Sequence, residues 1–217
     1  MAKTHTPNWL KPPGPIAPGL KIGLLGGSFN PAHEGHLHVS AVALKRLGLD
    51  YVWWLVAPQN PLKPTSGMAP LRERLARATQ RFERNPRILV FDLETALGTR
   101  YTIDTVRALQ QRFPGVRFVW LMGTDNLDQF QRWRRWPELA RRIPIAVVMR
   151  PGTTLAPLRA KAIQRFAQAR RVAAIKLACA APPAIAVIDG TRSGASATAI
   201  RAKNALDEAL VRTIPSC

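Results

Sequence analysis

Acidic residues are scarce in this sequence: 13 Asp and Glu stand against 32 Lys and Arg among 217 residues, a formal charge of +19. Such a surplus attracts polyanions, whether nucleic acid, an acidic membrane surface or phosphorylated small substrates, and charge alone does not choose among them. Cysteine is scarcer still. Cys179 and Cys217 are too few for a disulfide framework or a structural zinc site, so both read as free thiols. No apolar run approaches the length of a bilayer span. Near the start, Pro7, Pro12, Pro13, Pro15 and Pro18 interrupt any apolar signal core, and the expectation is a cytoplasmic protein. Repeats and shifts of composition are missing too, which leaves one domain over 21–217 behind a loosely packed, proline-rich arm over 1–20.

Hydrophobic residues make up 47% of the chain, arranged as short apolar runs alternating with amphipathic stretches, the pattern of an α/β protein. Strands are predicted at 21–25, 51–56, 87–93, 116–122, 143–149 and 184–188. Helices are predicted from near His36 to Leu47, over 71–84, from about 102 to 112, after Asp125, and over 158–176. The arginines at 72, 74, 77, 81 and 84, and the basic residues at 159, 161, 165, 170 and 171, read as solvated helix faces.

Chemistry concentrates in the stretch Gly26-Gly27-Ser28-Phe29-Asn30-Pro31-Ala32-His33-Glu34-Gly35-His36-Leu37, between the first strand and the first helix. Gly26 and Gly27 are expected to take up positive φ and let the backbone approach a ligand, while Pro31 stiffens the turn. A helix N-terminus carries unpaired N–H donors and partial positive charge, so the space before it suits a phosphate. His33 and His36, three apart, can both reach one anion there. The competing reading is that one imidazole merely caps the helix.

Three other places attract notice. Lys63 sits in a proline-stiffened loop after the second strand, where ligands of open parallel sheets gather. Gly123-Thr124-Asp125 ends the fourth strand and opens a helix, offering close backbone approach and a carboxylate for ribose hydroxyls, though Asp125 could equally be an N-cap. Ser196, Thr198 and Arg201 fall at a capped helix start, where a hydroxyl and a guanidinium fork suit a polyphosphate.

The string from Gly26 to Leu37 resembles the nucleotidyltransferase superfamily motif with His-x-Gly-His, in the form found in bacterial nicotinate-nucleotide adenylyltransferases. The likeness extends to about Lys203 in ordered blocks. It implies a doubly wound, mostly parallel Rossmann-like sheet and transfer of AMP from ATP to nicotinate mononucleotide, giving deamido-NAD and pyrophosphate. By resemblance, His33, His36, Lys63 and Arg201 are the catalytic set. Gly26, Gly27, Ser28, Phe29, Asn30, Gly123, Asp125, Ser196 and Thr198 would bind ATP. Tyr101-Thr102-Ile103-Asp104-Thr105 looks like the family's nicotinate-nucleotide segment, which nominates Thr102 and Asp104. Phe130, Trp133 and Trp136 form an aromatic stripe along the helix after Asp125; the resemblance sets Trp133 against the pyridine ring and leaves Trp136 in the core. Mg²⁺ would arrive on ATP, with no metal ligand assigned to the protein.

Rival readings are an adenylyltransferase of the same superfamily acting on nicotinamide mononucleotide or pantetheine phosphate, and a basic nucleic-acid-binding protein. The last has no helix-turn-helix, zinc knuckle or RNP-type strand in its favour. No specific nucleic acid and no membrane are expected as partners. Oligomeric state is not encoded in any of these patterns.

Overall fold

The computed structural model describes residues 16–59, 67–82, 85–149 and 170–189. Lys63, Ser196, Thr198 and Arg201 lie outside them. Among the described residues, seven strands form one sheet: β1 Lys21–Gly27, β2 Tyr51–Val56, β3 Ile88–Phe91, β4 Arg117–Gly123, β5 Ile145–Val148, β6 Arg170–Arg171 and β7 Ala184–Ile188, in the order β3-β2-β1-β4-β5-β7-β6. Each pairing between neighbours is parallel. Between them run α1 Glu34–Arg46, α2 Leu71–Phe82, α3 Leu93–Leu97, α4 Thr102–Arg112, α5 Thr124–Phe130, α6 Trp136–Arg142 and a 3-10 helix, Ala174–Cys179.

The strands read as unbroken apolar runs because both faces of the sheet are covered. In β2, Val52, Trp54 and Val56 join one core cluster with α1, α2 and the 3-10 helix. Trp53 and Leu55 join a second cluster with α3, α4, α5 and α6. The doubly wound parallel expectation therefore holds.

Several local expectations change. α1 begins at Glu34, two residues before the predicted start, because His33 itself caps it. The third strand is cut to Ile88–Phe91, and Leu93–Leu97 turns helical. Within the described part of 158–176, residues 170 and 171 pair with β7 and Val172 N–H donates to the Ile185 carbonyl. Open backbone groups beside β7 override the helical propensity of an Ala- and Arg-rich stretch. The arm is not loose throughout: Ile16 and Leu20 pack on the second cluster, and Gly19 N–H donates to the Gly115 carbonyl at 2.7 Å. No helix among the described residues is long and apolar enough to cross a membrane.

Candidate active site

From β1 the chain moves outward through β2 to β3, then returns to place β4 on the other side of β1. Open parallel sheets bind their ligands at such a reversal, beyond the carboxyl ends of the strands. Leu25 pairs with Leu121, so Gly27 and Gly123, two residues further along, end adjacent strands. The turn into α1 and the start of α5 share that edge.

The turn is built differently from the expectation. Gly26 and Gly27 belong to β1 and are not among the positive-φ glycines. Gly26 is glycine for packing, since a Cβ there would lie 2.6 Å from the Trp120 ring. The left-handed residue is Phe29, at φ 47°. Its cost is carried by packing: the ring is buried and stacks on Trp54 with centroids 4.7 Å apart, and lies 4.6 Å from the His36 ring. Trp54 Nε1–H donates to Ser40 Oγ at 2.8 Å, and that hydroxyl donates to the His36 carbonyl at 2.9 Å. A core tryptophan thus fixes the first turn of the helix.

Both imidazoles are held through the same ring nitrogen. Gly35 N–H donates to His33 Nδ1 at 3.0 Å, and His33 N–H donates to His36 Nδ1 at 3.2 Å, a reciprocal capping box in which histidines take the usual places of Ser/Thr and Glu/Gln. Because each Nδ1 accepts a backbone proton, the neutral rings carry theirs on Nε2. His33 is 2% exposed and its centroid is 3.9 Å from that of His36. Capping and anion binding, posed by the sequence as alternatives, do not compete for one atom: Nδ1 serves the helix, and Nε2 is the other polar atom of each ring.

Of the other turn residues, Ser28 has a buried Oγ with no hydrogen-bond partner among the described residues. Such an orphan is what a phosphate oxygen would satisfy. Asn30 Nδ2 donates to the Gly67 carbonyl at 2.9 Å and its Oδ1 accepts from Ala69 N–H at 3.3 Å, so that side chain ties the turn to the segment before α2.

Across the switch point, Gly123 is the N-cap of α5, Thr124 is buried, and Asp125 is exposed in the first helical turn. Asp125 is therefore not the cap. In α4, Tyr101 holds the N-cap position, Thr102 is the first helical residue, and Asp104 lies in the first turn 3.9 Å from Arg107. The aromatic stripe is not on one helix, because α5 ends at Phe130, Trp133 falls in the following turn and Trp136 opens α6. Trp133 is half-buried, edge-on to Trp120 and Phe130, while Trp136, half-buried rather than fully in the core, meets Phe130. The Arg134 guanidinium stands 4.6 Å from the Tyr101 ring centroid, which joins the Thr102 segment to the Trp133 turn.

Comparison with known proteins fits this arrangement. The Cytidylyltransferase-like family model matches residues 24–203. A protein of Parvibaculum lavamentivorans named probable nicotinate-nucleotide adenylyltransferase is 54% identical over 188 residues, 86% of this chain and 93% of the relative. One of the same name from a strain of Cereibacter sphaeroides is 54% identical over 183 residues, 84% of this chain and 97% of its own length. The chain belongs to the nicotinate-nucleotide adenylyltransferase family. Its fold matches that of the Plasmodium falciparum nicotinic acid mononucleotide adenylyltransferase solved in complex with NaAD, with a TM-score of 0.64 at 15% identity over 84% of this chain and 83% of that one.

Two buried ionisable residues of this adenylyltransferase-family chain are not marked by the sequence. The pattern of α2 reads Arg74 as one of its solvated arginines, yet it is 2% exposed. It sits three residues after Leu71 and one before Leu75, on the stripe that Ala78 continues, so an arginine at an inward-facing position was the available signal. Glu94, in α3, is also buried, and burial pushes its carboxyl up to about 7. No pattern in the run from Phe91 to Leu97 marks it.

Proposed function

We propose that this chain transfers AMP from ATP to nicotinate mononucleotide, forming deamido-NAD and pyrophosphate. The observation that carries the reading is the histidine capping box at the switch point, which sets two imidazoles with centroids 3.9 Å apart at a helix start beyond the carboxyl end of β1. A phosphate oxygen of the mononucleotide attacks the α-phosphorus of ATP in line. The new O–Pα bond forms as the bond from Pα to the bridging oxygen breaks, and pyrophosphate leaves with that electron pair. No covalent enzyme intermediate is needed, so the protein's part is positioning and charge stabilisation.

His36 and His33 donate to phosphate oxygens as charge builds on them. The Ser28 hydroxyl, which has no partner among the described residues, adds a third donor. Lys63 and Arg201, with Ser196 and Thr198, are assigned to the β- and γ-phosphates on the strength of their motifs. Gly123 and Asp125 face the adenosine, and Thr102, Asp104 and Trp133 take the nicotinate nucleotide, with ring stacking at Trp133. Magnesium enters as part of the substrate. The described residues hold no group of three or more His, Cys, Asp or Glu placed for a metal, and the assembled N–H and O–H donors suit phosphate oxygens rather than a cation. The reaction belongs in the cytoplasm, with its substrates.

The test is to incubate the purified chain with Mg·ATP and either nicotinate or nicotinamide mononucleotide and separate the dinucleotides chromatographically. Deamido-NAD with equimolar pyrophosphate, lost in His36→Ala, is the expected result. Formation of NAD in preference, or of neither product, overturns the reading.

A further inference from the structure

Arg74 is a buried cation whose hydrogen bonds go to main-chain carbonyls. Nη1 donates to Ser28 O at 2.6 Å and to Ala57 O at 2.8 Å, Nη2 to Pro58 O at 2.8 Å, and Nε to Ala69 O at 2.9 Å. No carboxylate among the described residues pairs with it. Removing a guanidinium from water is costly, and the usual compensation is a counter-charge. Here burial lowers its pKa from the ordinary arginine value. Leu75 and Ala78 on the same helix show what this face of α2 otherwise uses for packing, and an apolar side chain would avoid the desolvation altogether. The arginine must supply something an apolar residue does not.

What it supplies is a fixed separation between three segments. Ser28 is in the turn that leads to His33, Ala57 and Pro58 follow β2, and Ala69 precedes α2. Ala57 N–H also donates to the Gly27 carbonyl at 2.9 Å, and Asn30 grips Gly67 and Ala69. Through these bonds the planar fork holds the β1 turn against the end of β2. A lysine, with one flexible ammonium in place of a rigid fork, could not meet acceptors in three directions at these lengths.

We propose that Arg74 is a positioning residue for the triphosphate: it holds the Ser28 turn, and with it His33 and His36, at the spacing the phosphates require. This rests on the adenylyltransferase reading above. Misplacing catalytic donors by about 1 Å costs up to about 100-fold. In Arg74→Lys, kcat/KM for Mg·ATP is expected to fall about 10–100-fold, while the KM for the mononucleotide moves less than about twofold because the Trp133 side of the site has no bond to Arg74. A role limited to stability predicts the reverse, lost activity in proportion to lost folded protein with both KM values unchanged, and that result overturns the proposal. Arg74→Ala, prepared and assayed with millimolar methylguanidinium, should regain affinity for Mg·ATP, and methylammonium at equal concentration should not. If this variant unfolds when methylguanidinium is removed, or if both cations restore it equally, the proposal fails. Calorimetric binding of a non-hydrolysable ATP analogue to the same variants reads the ATP site without turnover. A wild-type chain that binds the analogue but makes no dinucleotide would sink the activity and leave Arg74 testable.

Discussion

The capping box makes His33 separable into two functions on two nitrogens, and substitutions can address them one at a time. In His33→Asn the Oδ1 occupies nearly the place of Nδ1, so Gly35 N–H keeps an acceptor, 3.0 Å away in the parent, and asparagine is itself a favoured N-cap. The Nε2–H donor disappears. In His33→Ala both are lost. Loss of a cap costs about 1 kcal/mol, which in a domain of this size lowers Tm by about 2–4 °C, with a further loss from the void left by a ring 2% exposed. Removing one preorganised donor to a developing charge costs about 10²–10³ in kcat. His33→Asn, which keeps the cap and leaves a smaller void, should therefore unfold at a higher temperature than His33→Ala while losing that much turnover, and His33→Ala should lose both. His33→Gln, which can reach the Nε2 position but offers no Nδ1 equivalent, should show the opposite split. Scanning calorimetry paired with chromatographic measurement of deamido-NAD decides the matter. If His33→Asn turns over within about threefold of the parent, or if His33→Ala is as stable as His33→Asn, the division of labour between the nitrogens is wrong.

The buried Glu94 carboxyl gives a pH dependence of known sign. With its folded pKa raised from 4.5 to about 7, the folded chain holds a proton that the unfolded chain releases first. The resulting penalty is absent below about pH 4.5, grows through pH 7 and reaches about 3 kcal/mol above that. Glu94→Gln should gain on the parent by up to that amount between pH 4.5 and pH 8.5 in urea titrations, and a difference that stays constant with pH contradicts the assignment. Gly26→Ala drives a methyl to 2.6 Å from the Trp120 ring and should cost about 1–3 kcal/mol of stability by overpacking, read as a lower urea midpoint; an unchanged midpoint would mean that the ring moves aside freely. Trp133→Ala should raise the KM for nicotinate mononucleotide about tenfold, the worth of one aromatic stack, with the KM for Mg·ATP little altered, and the opposite pattern would move Trp133 to the adenosine side.

Much of this architecture could be read from residue order. Each parallel strand is buried on both faces, so it has to be an apolar run, and Tyr51–Val56 or Ile145–Val148 could hardly be anything else. The glycines and histidines after β1, and Gly123-Thr124-Asp125 after β4, announced themselves because a turn from strand to helix at the carboxyl edge needs small residues and helix-starting polar ones. The weaker signals failed for identifiable reasons. Spacing by threes puts Phe130, Trp133 and Trp136 on one helix, yet the two tryptophan rings meet Phe130 across a break. A stretch rich in alanine and arginine looked helical, yet residues 170 and 171 took up open hydrogen-bonding positions beside β7.

The linear chain determined which chemical groups are present and at which strand ends they emerge, because burial on two faces and turn chemistry are local requirements. Only the tertiary structure decided how those groups are used. Whether one arginine among several on a helix turns inward to hold Ser28, Ala57 and Pro58 as well as the nearby Ala69 depends on acceptors brought from distant parts of the chain. The cost of burying a charge is set by those partners, and no single segment contains them.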